Sequence, residues 1–209
     1  MEIILNEVSK VINHTTVLDN ISHQFTGGNI YGVVGRNGSG KTMLLRMISG
    51  LIVPTSGTVF VDGKQMHKQI SFPPNLGLII EKPEFLGYMT GLENLKQIAE
   101  IKKLVSEEAI KEYMKIFALD PDSKLPMRKY SLGMKQKIGI IQAIMEDPKL
   151  LILDEPFNAL EEQSVLKLRQ ILLKKKNEGK LIIITSHNKK DIESICNHVI
   201  IMENGRIRN

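Results

Sequence analysis

The chain is poor in features that mark several large protein classes. Among 209 residues it has one cysteine, Cys196. A single thiol closes no internal disulfide, and without a CxxC pair there is no thiolate site for zinc. The apolar runs "LLIL" (150–153) and "LIII" (181–184) are strand-length, well short of the roughly 20 residues that cross a bilayer. The opening "MEIILNEVSK" has an acidic second residue and a three-residue apolar run, unlike a secretion signal. There is no internal repeat and no low-complexity linker. These absences lead us to expect a cytoplasmic protein that meets a membrane only through a partner.

Charge of one sign is also scarce. Lys and Arg number 28 against 23 Asp and Glu, a net charge of +5. The excess is spread along the chain, which reads as a solvated Lys-rich exterior. The run "KKKNEGK" (174–180) is read as solvated charge at a helix end, not as a nucleic-acid patch, and Cys196 as a core thiol on a helix face.

What is present is periodic. The first 62 residues read mostly as strands, "EIILNEV", "TVLDNISHQF", "NIYGVV" and "GTVFVD", with turn signals between them. One helix, 41–49, interrupts them and ends at Gly50. The middle is helical: Ile110, Tyr113, Met114 and Phe117 share one face, and Met134, Ile138, Ile141 and Met145 share another. The last third alternates. Strand "KLLILDE" precedes a helix with Val165, Leu168 and Leu172 on one side. Strand "KLIIITS" then leads to a short helix ending near Asn197, followed by "HVIIME" and "GRIR". Continuous apolar strands between helices predict an α/β fold with a mainly parallel sheet covered on both faces.

Four stretches carry chemistry. "GRNGSGKT" (35–42) fits G-x-x-x-x-G-K-[ST], the P-loop. Gly35, Gly38 and Gly40 let backbone N–H groups from Gly35, Arg36, Asn37, Gly38, Ser39 and Gly40 turn towards a phosphate, and the next helix adds its dipole. Lys41 would reach the terminal phosphates, and the Thr42 hydroxyl would ligate Mg²⁺. "LLILDEP" (150–156) ends a buried strand on two carboxylates, at the sheet edge where open α/β proteins bind ligands. Asp154 is placed to hold Mg²⁺ through water, and Glu155 to polarise an attacking water. His187, in "TSHN", ends another strand on the same edge. In "YSLGMKQK" (130–137), Ser131 and Gly133 open a helix whose N-terminus suits an anion.

With these motifs in this order, the chain resembles the ATP-binding subunits of ABC transporters, from "LNEVSK" to "MENGRI". The resemblance implies one ABC ATP-binding domain of the P-loop NTPase fold. It has an antiparallel β region, a RecA-like core (about 1–82 and 149–209) and an inserted all-helical lobe (about 83–148). It also implies a head-to-tail dimer, with the same chain or a related subunit, that sandwiches two ATP molecules and drives a separate transmembrane permease. Ser131 and Gly133 would then serve the partner's nucleotide.

This chain departs from the family pattern at four points. The signature reads "YSLGM" rather than "LSGGQ". Val11 stands where an aromatic residue usually stacks on adenine. "NALE" puts Glu161 in place of Asp. Glu81 replaces the glutamine that follows the "GLII" strand, where the family ligates Mg²⁺. The "IE-x-P-x-F" loop with "YSLGMKQ" resembles the bacitracin-export and lantibiotic-immunity branch. The leading expectation is therefore an ATP-hydrolysing exporter motor. An ATP-gated interaction module with little turnover and a soluble non-transport ATPase are the alternatives.

Overall fold

In the computed structural model, residues 1–81 and 83–208 are described. Lys82, the expected boundary of the core, lies outside them, as does Asn209. Two sheets are built. The first is antiparallel, in the order β2 (Thr15–Thr26), β1 (Glu2–Ile12), β4 (Ser56–Val61) and β5 (Lys64–Gln65). The second has six strands, ordered β10 (Arg206–Arg208), β9 (His198–Glu203), β3 (Asn29–Val34), β8 (Leu181–Thr185), β7 (Leu150–Leu153) and β6 (Leu76–Ile79). All its pairings are parallel except β9 with β10.

The parallel registers align the strand ends. Val33 is opposite Thr185, Leu153 opposite Ile184, and Ile79 opposite Leu153. The residues that follow β3, β6, β7 and β8 therefore emerge along one edge. The strands read as unbroken apolar runs because both faces are covered. Leu151, Leu153, Ile182 and Ile184 enter the helix-covered core, while Leu150, Ile152, Leu181 and Ile183 enter the core shared with the antiparallel sheet. α1 (Lys41–Ile48) fills this second core with Leu44, Leu45, Met47 and Ile48.

Between β6 and β7 run α2 (Gly91–Lys102), α3 (Glu107–Ile116), a 3-10 turn (Met127–Lys129) and α4 (Leu132–Ile144). Their starts follow capping chemistry. Thr90 and Glu93 form a reciprocal capping box on α2, and Ser106 and Ser131 cap α3 and α4. The expected stripes are buried: Ile110, Met114 and Phe117 from α3 meet Ile138 and Ile141 from α4. α5 (Glu162–Asn177) and α6 (Lys189–Ile195) complete that face.

Two readings need correction. Lys175 in the run 174–180 is not solvated: it is 5% exposed, and its Nζ donates to Asp147 Oδ1 at 2.8 Å. Lys180 donates to the other oxygen at 2.7 Å. Asp147, in the turn between α4 and β7, provides the counter-charge that lets an ammonium stay buried. Cys196 packs against the helix-covered core as expected, but from the C-cap of α6 rather than from within a helix, facing Gly32, and burial pushes its thiol pKa up to about 12.

Candidate active site

The loop between β3 and α1 follows from its glycines. Gly38 and Gly40 have φ of 76° and 102°, the region where a side chain is strained. A Cβ on Gly40 would also lie 3.0 Å from the Val17 carbonyl oxygen. No side chain caps the N-terminus of α1, whose first helical bond outside the loop is Leu44 N–H to the Gly40 carbonyl. Its leading amides are thus left for an anion. Lys41 is 8% exposed, and its ammonium donates to the carbonyls of Gly35 (2.8 Å) and Arg36 (3.1 Å), folding the loop around its own cation.

A cleft of about 710 Å³ opens beside this loop. Gly38, Gly40, Lys41, Thr42, Asp154, Glu155 and His187 all line it, so residues far apart in sequence converge on one space. Thr42 Oγ1 donates to Asp154 Oδ2 at 2.8 Å. A hydroxyl beside a carboxylate is the hard-oxygen donor pair that Mg²⁺ requires. Thr185, fully buried, donates to Asp154 Oδ1 at 2.6 Å and accepts the Glu155 amide at 2.8 Å.

Glu155 has φ of 50°, a left-handed conformation that is uncommon for a residue other than glycine. Its Oε2 accepts the His187 amide at 3.2 Å. Its Oε1 lies 3.1 Å from His187 Nε2, yet is buried without a well-aligned hydrogen bond. Burial pushes the Glu155 carboxyl above the ordinary range, against the downward pull of His187. A partly desolvated carboxylate with an unengaged oxygen, next to a hydroxyl–carboxylate pair, can take a proton from a water.

Of the remaining predicted residues, Asn37 also lines this cleft and the others do not. Ser39 is buried beside Gly35, and its hydroxyl has no partner. Arg36 and Asn37 are exposed on the loop. Ser131 accepts the Met134 amide at 3.2 Å, and neither it nor Gly133 lines the cleft. Gly133 abuts the Glu155–Glu161 loop, where a Cβ would lie 2.5 Å from the Ala159 oxygen. Val11 is 39% exposed near the end of β1, across from Thr16, which does line the cleft. Glu81 is not brought to Thr42 and Asp154. It follows β6, and its Oε1 accepts from Arg46 Nη2 in the last turn of α1 at 2.7 Å.

Sequence reasoning missed several supporting residues. Thr185 was hidden at the end of an apolar strand. Gln136 Nε2 in α4 donates to the carbonyls of Glu155 (3.3 Å) and Pro156 (3.2 Å). Lys137, buried, pairs with Glu161, which also accepts from Ser164 Oγ at 2.7 Å. The Lys137 ammonium, then the Ser164 hydroxyl, hold the Glu161 carboxyl down to about 2. The only sequence signal for Gln136 and Lys137 was their place in the polar run 135–137 at the start of a helix whose later turns are mostly apolar.

The family described as ABC transporter matches residues 18–158. An uncharacterized ABC transporter ATP-binding protein of Bacillus subtilis, YybJ, is 49% identical over 96% of this chain and 92% of its own length. The bacitracin transport ATP-binding protein BcrA of Enterococcus faecalis is 38% identical over 96% of this chain, which spans 66% of that relative. The solved structure of an ATP-binding subunit of an ABC transporter superposes with a TM-score of 0.89 at 25% identity, covering 100% of this chain and 89% of the other.

Proposed function

Because the chain belongs to the ATP-binding subunits of the ABC transporter family, we propose that it is the ATP-hydrolysing motor of an exporter of antimicrobial peptides or similar amphiphiles. The peptide cargo is inferred from BcrA, whose name concerns bacitracin transport and whose chain is longer. One observation carries the hydrolytic reading: Glu155 and His187, 3.1 Å apart, share a cleft with Lys41, Thr42 and Asp154.

In this reading the amides of residues 35–42 and Lys41 hold the ATP phosphates. Lys41 exchanges the Gly35 and Arg36 carbonyls for phosphate oxygens. Thr42 and Asp154 would hold Mg²⁺, which supplies charge neutralisation on the phosphates when bound. Glu81 could join them only by leaving Arg46. Glu155 orients water and accepts its proton, while the His187 imidazole reaches the outermost phosphate. Val11 gives the base no aromatic platform. Ser131 and Gly133 would serve a nucleotide held by the partner in a head-to-tail dimer, with itself or a related subunit.

The helical segment 83–148 acts as the second lobe. Beside it a cleft of about 520 Å³, lined in part by Arg46, Leu51, Ile80 and Glu84, has the apolar floor and charged rim suited to a helix of a transmembrane permease. Among the described residues no helix is long and apolar enough to cross a membrane. The subunit would therefore work at the inner face of the membrane through that permease.

Glu155→Gln tests the hydrolytic assignment. It keeps the shape but cannot accept a proton, so ATP turnover should fall at least hundredfold while ATP binding persists and a dimer accumulates on gel filtration. Normal turnover in this variant would overturn the assignment. A parent chain that dimerises with ATP yet turns over no faster than Glu155→Gln would favour the ATP-gated interaction module.

A further inference from the structure

Arg169 in α5 lies outside the cleft, yet it touches the loop that carries Glu155 and, at the start of α6, the aspartate that holds the His187 loop. Its Nη2 donates to Asp191 Oδ1 at 2.5 Å, and Asp191 is 4% exposed. The other Asp191 oxygen accepts from Ser186 Oγ at 3.1 Å, and Ser186 Oγ in turn accepts the Asn188 amide at 3.1 Å. These two bonds tie down the residues on either side of His187. On the opposite loop, the Arg169 guanidinium lies over the Phe157 ring, 5.9 Å from its centroid. Phe157 is buried and stands two residues after Glu155.

Nη2 and the flat face of the guanidinium are committed to these contacts, while Nε is buried without a partner. Only arginine can do both things at once: its fork meets a carboxylate in the plane while its flat face covers a ring. Asp191 is the buried charge of the pair, with its side chain 5% exposed against 24% for Arg169, and removing Arg169 alone would leave that carboxylate without its counter-charge.

We infer that Arg169 is a positioning residue for ATP hydrolysis. Through Asp191 and Ser186 it holds the His187 loop, and through Phe157 the Glu155 loop. It thereby keeps the Glu155 carboxylate and the His187 ring at their 3.1 Å spacing. It contacts neither the P-loop nor Thr42, so nucleotide binding does not depend on it. The inference rests on the reading of Glu155 and His187 as the hydrolytic pair. Small misplacements of such groups slow the chemical step without weakening substrate binding.

The test compares steady-state ATPase rates and ATP affinity by calorimetry for the purified chain and five variants. In Arg169→Met/Asp191→Asn both charges are gone, so no lone buried charge remains to unfold the protein. That variant should lose about tenfold or more in kcat with KM and ATP affinity within twofold of the parent. Arg169→Lys keeps the ion pair but loses the flat stack, and should recover part of the loss. Phe157→Leu should weaken turnover in the parent but add nothing in the double-variant background, because the contact it removes is already gone. The fifth variant, Glu155→Gln, is the reference. If it abolishes turnover while the Arg169→Met/Asp191→Asn protein keeps kcat within twofold of the parent, the positioning role is wrong and the hydrolytic pair stands. If ATP affinity falls together with kcat, the network is merely structural, and the inference is likewise overturned. If Glu155→Gln hydrolyses normally, the underlying assignment fails and takes the inference with it.

Discussion

Thr185 Oγ1 donates to Asp154 Oδ1 at 2.6 Å while accepting the Glu155 amide at 2.8 Å, so one buried hydroxyl sets the direction of both carboxylates. Thr185→Val keeps the shape and removes both bonds. A buried carboxylate oxygen and an amide are then left without this partner, at a cost of about 1–3 kcal/mol each where no water enters. We expect a lower thermal midpoint and about a tenfold drop in kcat, with ATP affinity changed less than kcat. Equal stability and turnover in the two proteins would show that Asp154 and Glu155 are held by other groups.

Glu161 and Lys137 form an asymmetric pair, since Lys137 is buried and Glu161 is more than half exposed. Removing the partner of a buried charge costs more than removing the buried charge itself. Glu161→Gln should therefore destabilise by about 2 kcal/mol and Lys137→Met by less, measured by urea unfolding at pH 7. The pair also has a pH signature. The folded Glu161 carboxyl lies at about 2, below its ordinary 4.5. Its contribution is present above about 4.5 and is lost as pH falls towards 2, so Glu161→Gln should flatten the stability profile across that window.

His23 packs edge-on against Phe25, with ring centroids 4.7 Å apart, and near Tyr31, which stacks on His198. Burial, helped by the charge of His198, lowers the His23 pKa from 6.5. The unfolded chain then binds the proton more readily than the folded one. Stability from this site is complete above about 6.5 and declines as pH falls below it. His23→Phe should reduce the loss of thermal midpoint between pH 7 and pH 5. An unchanged slope would assign that loss to other groups.

Arg46 and Glu81 form an ion pair at 2.7 Å with the Glu81 side chain 60% exposed. Such a pair contributes between 0 and about 1 kcal/mol, so Glu81→Gln should leave the unfolding midpoint nearly unchanged. The same variant should keep ATP binding but alter the Mg²⁺ dependence of hydrolysis and impair peptide resistance in cells. Arg46→Met, which frees Glu81, should shift the Mg²⁺ titration in the opposite direction. If both titrations match the parent, Glu81 is only a surface partner of Arg46.

The P-loop, the strand-end carboxylates and the stripes of α3 and α4 were legible in the sequence because each is local. Glycines at fixed offsets, an apolar run before "DE" and a helical period all act within one or two turns of chain. Those signals also carried the family and its α/β architecture. Only the tertiary structure decided which polar side chains meet. Thr42 and Asp154 are 112 positions apart, and Lys175 reaches Asp147 across 28. Such pairs depend on strand register, because a slip of one residue turns every side chain to the other face. Register likewise puts Thr185 under Asp154, and helix packing puts Arg169 between Phe157 and Asp191. Glu81 shows the same division: sequence placed it after β6 at the ligand edge, but the end of α1 lying alongside gave its carboxylate to Arg46.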